Sequence, residues 1–307
     1  MRAAHQTAFI VVLFLTALAY SASAQAPAEV RLELEQINRR IEHNYVTENS
    51  DSLSSWYTER LTFFPEYKPA IFNSKNLKKF YKDWFKAVEV KTYQKKIVTV
   101  ELLGDYLLEI GTFSSNYLSA RQTPLEYNGK YLIMWQKDPN RKWRIMSEAF
   151  GANTYLDAVA VPYATVQVSE STISAKNEVS PALLAEVEEF NAAVIKAVTD
   201  GDGEARANGF TPDGIYLPHF ETILSGKDVI RPYMLKTYRP GALIKVAHSY
   251  NRIYDLGNYV FVNGHFKGSW GNAANGGKLE GNMSNLMKRT ENGKLLMHRQ
   301  IGNNDRQ

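Results

Sequence analysis

Apolar residues recur at helical spacing from Val30 to Tyr45 and again from Pro181 to Val198, which predicts an amphipathic helix at each place. Ser180 is a good N-cap and Pro181 suits the first helical position. Glu186, Glu188 and Glu189 fall on early turns, where the helix dipole favours anions. A loop from Asp200 to Gly203 follows, then a short strand from Gly214 to Pro218. A second helix is predicted from Lys227 to Tyr238, behind Gly226, with a counterpart from Lys75 to Val88.

The later part of each half is rich in β-formers. Strands are predicted over Lys96–Leu103, Tyr106–Tyr117, Gly129–Lys137 and Lys142–Ala149, broken by Gly-Asp, Asn-Gly and Asp-Pro-Asn turns. The second half offers Leu243–Tyr254, Tyr259–Trp270, Lys278–Arg289 and Lys294–Ile301. Helices first and hairpin-linked strands later argue for an α+β fold, with helices on one face of a curved antiparallel sheet.

The two halves are copies. Gly104-Asp105-Tyr106 recurs as Gly257-Asn258-Tyr259, and Gly111-Thr112-Phe113 as Gly264-His265-Phe266, both at an offset of 153. Tyr57 and Pro65 map to Phe210 and Pro218 at the same offset. Asn128-Gly129 then maps to Glu280-Gly281 and Lys142-Trp143 to Lys294-Leu295 at 152, so one residue is lost in a hairpin. The units span 28–157 and 180–307. Residues 158–179 have no helical period and read as a linker, partly extended along a domain.

The N-terminus reads as a targeting signal. Arg2 precedes a mostly apolar stretch from Thr7 to Tyr20, and Ala22-Ser23-Ala24 resembles a cleavage site, giving residues 1–24 as a signal peptide. The stretch is too short for a comfortable membrane span, so the expected product is periplasmic or secreted, without a stable membrane anchor. The 307 residues include no cysteine, which removes thiol nucleophiles, thiolate metal sites and disulfides. Each unit must then be held by core packing. Lys and Arg number 36 against 32 Asp and Glu, a surplus too small and dispersed for nucleic-acid binding. The pairs Lys78-Lys79 and Lys95-Lys96 read as solvated faces.

Glu109 is the sharpest candidate for chemistry, because Val262 holds its place in the other copy. If that position faces the core, Glu109 faces a pocket, where its raised pKa would suit acid–base work; if not, it is solvated. His219, His248, His265 and His298 are peculiar to the second unit, matching Glu66, Lys95, Thr112 and Met146 in the first. They could converge on one polar site, with His265 as the candidate acid or base, or serve as separate surface or core histidines. None are spaced as a local metal motif, and no metal or cofactor is expected. Tyr57, Trp84, Tyr131 and Trp135 could line the first cavity; Tyr216, Tyr233, Tyr250, Asn263 and Trp270 the second. Plain core packing is the competing reading of the aromatics.

Three motifs fail on inspection. Asp200-Gly201-Asp202-Gly203-Glu204 resembles a calcium loop, but Ala205 stands where the loop needs Gly and Thr211 where it needs Glu. Ser225-Gly226-Lys227 lacks the rest of a phosphate loop, and no G-x-S-x-G elbow exists.

The runs GKDVIRPYM (226–234), GNYVFVNGHFKGSW (257–270) and NLMKRTENGKLL (285–296) resemble SnoaL-like domains of the nuclear transport factor two-like superfamily. GDYLLEIGTF (104–113) and GKYLIMWQKDPNRKWRIMSEAF (129–150) resemble the same family. The resemblance implies two cone-shaped domains, each with a pocket between sheet and helices. Related single domains often dimerise through the sheet, which implies an internal pseudo-dimer here and leaves a homodimer open. Members include ketosteroid isomerase, scytalone dehydratase, limonene epoxide hydrolase, polyketide cyclases and non-catalytic binding modules, so fold alone gives no function. The catalytic constellations of ketosteroid isomerase and of the epoxide hydrolases find no residue-by-residue match. The leading expectation is an exported protein binding a small apolar or ring-bearing molecule. The alternatives are a cofactor-free lyase, isomerase or hydrolase, and a scaffold for a protein partner.

Overall fold

The computed structural model describes residues 26–240, 245–271 and 276–305. The signal peptide expected over residues 1–24, its cleavage point and Leu243 lie outside the described residues. Among the described residues no helix is long and apolar enough to cross a membrane.

The first unit opens with α1 (Ala28–Val46), a short α2 (Ser50–Ser54), β1 (Tyr57–Phe64) and α3 (Ser74–Ala87). Strands β2 (Val88–Leu103), β3 (Tyr106–Ser119), β4 (Pro124–Glu126), β5 (Gly129–Lys137) and β6 (Trp143–Ala152) follow. The second unit repeats the plan: α4 (Pro181–Thr199), α5 (Gly203–Asn208), β7 (Phe210–Leu217), β8 (Leu224–Ser225), α6 (Lys227–Thr237), β9 (Lys245–Asp255), β10 (Tyr259–Trp270), β11 (Gly277–Arg289) and β12 (Leu295–Asn304). Each unit has a six-stranded sheet carrying helices. The chain is therefore an α+β tandem of two domains.

The four strands expected late in each unit pair antiparallel. One departure appears in both copies. β1 lies parallel to β6 and β7 parallel to β12. The strand before the second helix pairs with the last strand of its unit, and the antiparallel steps from β2 to β6, and from β9 to β12, bring that last strand back in the same direction. The hairpins match between copies: Gly104 and Gly257 both take left-handed backbone, at φ 68° and 74°.

β2 starts eight residues before the predicted Lys96. Bulges at Val90/Thr92 and Ile97/Thr99 break the two-residue period there, which hides the strand from a pattern search. Ser180 caps α4, accepting from the Leu183 amide at 3.2 Å. Asp202, read as part of a failed calcium loop, caps α5 through the Ala205 amide at 2.8 Å. Glu186 does more than sit at a positive helix end. It makes a two-pronged ion pair with Arg289 of β11, at 2.7 and 2.6 Å.

The linker is part of the first unit's core. Val161, Tyr163 and Val166 are buried against its aromatic cluster, and the Tyr163 ring meets Trp84 edge-on at 4.9 Å. The two units pack sheet against sheet. Their shared apolar cluster contains Phe64 with Leu217, Leu108 with Phe261, Met134 with Leu286, and Ala149 with Ile301. Each of these is a pair of repeat mates, at offsets of 153 or 152. Mates meeting across one interface is the mark of a two-fold relation, so the units form an internal pseudo-dimer. Glu66 and His219, also mates, touch directly through a carboxylate–imidazole contact. Asn303 of β12 adds bonds to the Phe64 and Phe150 carbonyls, both at 2.8 Å.

Candidate functional site

Two places gather titratable side chains, and volume separates them. The first is the interior of the first unit. Glu109 is fully buried there and accepts from Asn38 Nδ2 at 2.7 Å, Tyr131 OH at 2.7 Å and Trp135 Nε1 at 2.9 Å. It does face inward, as the comparison with Val262 suggested, and Val262 is core in its own unit. Lys95 Nζ lies 3.7 Å from Glu109 and 4.3 Å above the Tyr131 ring. This corrects the solvated reading of Lys95: its side chain is buried, while Lys96 is exposed.

Glu148 lies two strands from Glu109, with Ile133 in register between them. Burial pushes its carboxyl above the ordinary range; Lys95 and the Tyr57 hydroxyl offset part of this, and Glu109 adds to it. Tyr57 also meets Tyr81 at 2.9 Å, and Trp84 stacks on Tyr81. The aromatics proposed to line this cavity are thus packed side chains. The two cavities among them hold about 10 Å³ each, at the limit for a single water.

The second place is a cleft of about 510 Å³ on the face of the second sheet that turns toward the first unit. Residues 69, 70 and 72 of the first unit and the linker residues 170–174 form its opposite wall. Its floor comes from β9, β10 and β11. Phe261 and Asn263 on β10 are buried in the interface, and two residues on, the same face carries His265. His265 Nε2 pairs with Asp305 Oδ2 at 2.7 Å and lies 3.7 Å from Glu280. Ser249 and Asn282 stand directly opposite His265 on the neighbouring strands. Asn282 is 2% exposed, and its Nδ2 has no hydrogen-bond partner among the described residues. Asn251 tethers the linker through the Ile173 carbonyl at 3.3 Å. A further groove of about 570 Å³ along α1, near Arg39, Arg40 and His43, is more open to solvent than the cleft.

The four second-unit histidines do not converge. His265, His248 and Tyr250 line the cleft, with His248 Nδ1 at 3.1 Å from Asn191 Oδ1. Burial, with Arg206 adding to it, lowers the His248 pKa to about 4. His219 pairs with Glu66 across the interface. His298 sits 2.9 Å from Glu101 of the first unit, which also takes Arg299. Asn263 accepts from Ser147 Oγ of the first unit at 3.0 Å. Tyr216 packs on Phe210 and Tyr233 in the second core, and Trp270 is exposed at the end of β10.

Sequence reasoning missed Glu148, Glu66, Glu101, Ser249, Asn282 and Asp305. For Glu66 alone a signal existed, since its repeat mate is one of the singled-out histidines.

No family model and no curated protein matches the sequence. Solved structures do resemble it. A ketosteroid isomerase-like protein from Erwinia carotovora atroseptica is 18% identical, covering 41% of this chain and 98% of its own, with a TM-score of 0.36. An NTF-2 like protein of unknown function from Shewanella oneidensis is 12% identical over 39% of this chain and 98% of its own, TM-score 0.33. A putative calcium/calmodulin dependent protein kinase II association domain from Xanthomonas campestris is 14% identical over 45% and 97%, TM-score 0.35. The chain is thus a tandem of two α+β domains whose solved structural neighbours are ketosteroid isomerase-like and NTF-2-like proteins, each covering about one domain's share.

Proposed function

We propose that this is an exported small-molecule-binding protein whose ligand occupies the cleft on the second sheet, with the first unit as a closed structural half. The observation that carries this reading is enclosed volume: about 510 Å³ in the cleft against about 10 Å³ in each cavity beside Glu148, with the groove of about 570 Å³ along α1 more open to solvent. Small-molecule sites are concave and span several hundred Å³, which the cleft supplies and the cavities beside Glu148 do not. The lining favours a polar ligand over the apolar or ring-bearing one expected from the aromatic content. Glu170, Glu188, Glu280 and Asp305 outnumber Lys176 and Lys267 there, which favours a neutral or cationic molecule. Export rests on the N-terminal pattern and places the site in the periplasm or the medium.

The test is native mass spectrometry of the mature chain, purified gently from its exporting host, beside Ser249→Trp, which fills the cleft from an exposed position. A bound small-molecule mass on the wild type that the variant loses is the expected result. A mass retained by the variant, or a bare wild-type chain, contradicts the reading. The same spectra give the oligomeric state. Each unit's interface face is covered by the other, so any homodimer uses a different surface.

A further inference from the structure

Resting on that binding reading, we propose that the cleft hydrolyses small neutral esters, with Ser249 as nucleophile, His265 as its proton acceptor and Asp305 as a positioning residue. Ser249 on β9 and His265 on β10 are directly opposite each other. Opposed side chains share a face, with Cβ atoms about 4.5–5.5 Å apart. Asp305 holds the far nitrogen of the ring, Nε2, at 2.7 Å. Nδ1, the nitrogen nearer the backbone, has no partner among the described residues. A base oriented by a carboxylate beside a hydroxyl is the arrangement that activates a weak nucleophile.

Asn282 supplies the third part. It stands opposite His265 on β11 and lines the cleft, and its Nδ2 is buried without a partner. A buried donor left unmet costs free energy, and a turn of the amide toward the cleft would let it meet a carbonyl oxygen there. Nucleophile, base and donor therefore lie in one row across three adjacent strands. The row is peculiar to the second unit, because the matching residues in the first are Lys96, Thr112 and Lys130. Lys130 is already satisfied, donating to the Ala152 carbonyl at 2.6 Å. The acidic lining argues against anionic substrates, hence neutral esters.

The steps balance without any further reactant than water. Ser249 Oγ bonds to the ester carbonyl carbon as its proton passes to His265 Nδ1. The bond from carbon to the alcohol oxygen breaks, and the proton on Nδ1 goes to that oxygen. Water then attacks the acyl-serine, giving its proton to Nδ1. The acid leaves and the proton returns to Ser249.

The test uses the full mature chain with p-nitrophenyl acetate as substrate and diisopropyl fluorophosphate as probe. Expected are turnover, one diisopropylphosphoryl adduct mapping to Ser249 with loss of fluoride, and loss of both in Ser249→Ala, with kcat/KM down on the order of a thousandfold. Asp305→Asn should lower kcat with little change in KM and move the acid limb of the pH profile, which a merely structural residue would not do. Ser249 is exposed, so the alanine variant should melt like the wild type. An adduct on another residue, no adduct, or unchanged turnover in Ser249→Ala overturns the proposal. If native spectra still show a cleft-dependent ligand, hydrolysis alone falls and the binding reading stands.

Discussion

At the scale of single residues, this protein hides its strongest polar interactions. Glu109 meets three donors from two different elements and one ammonium. Removing one partner of such a set leaves the others buried and unmet, which typically costs ~3–5 kcal/mol. Glu109→Leu should lose that much stability in thermal or urea unfolding, while Glu109→Gln should lose less. Neither should alter ligand binding in the cleft. His248 gives a pH signature. Its pKa is about 4 in the fold against an ordinary value near 6.5. Between these values the unfolded chain binds a proton that the folded chain refuses, so stability falls as pH drops from about 6.5 to about 4. The loss should approach roughly 2–3 kcal/mol, and His248→Gln should flatten that part of the curve. The inward aim of Glu109 was legible from its repeat mate. Lys95 reads as solvated from its charge, although adjacent residues on a strand face opposite sides, so one of Lys95 and Lys96 had to turn inward. Partners such as Asn38, 71 residues from Glu109, leave no local trace.

At the scale of elements, helices announced themselves through period and caps, and most strands through turns. What stayed hidden were segments whose pattern is broken or absent. The bulged start of β2 is one. The linker is another, because its composition suits a tether while Tyr163 is fully buried. Composition reports what a segment can do in isolation, and three well-placed apolar side chains can anchor it regardless. Tyr163→Ala should destabilise the protein by ~3–4 kcal/mol, as truncation of a buried aromatic does, and unfolding curves would show it. A free tether would show no change.

At the scale of the whole molecule, the repeat made the tandem readable, and the resemblance made the pairing an expectation. The interface residues themselves were not readable, because a strand apolar on both faces gives a continuous hydrophobic run that does not say which face meets a partner. The cleft was the least legible feature. It is assembled from the loop around residue 70, the linker and three strands of the other unit, and only the pseudo-dimer brings them together. The consequence is a division of labour between copies: one interior closed over a buried ion pair, and one sheet face left open at the edge of the interface. The most direct test is a crystal soaked with small neutral carbonyl and amide fragments. The account expects fragment density in the cleft, within hydrogen-bonding distance of His265 and Asn282, and none inside the first unit. Fragments bound among Glu109, Glu148 and Lys95, with the cleft empty, would contradict it.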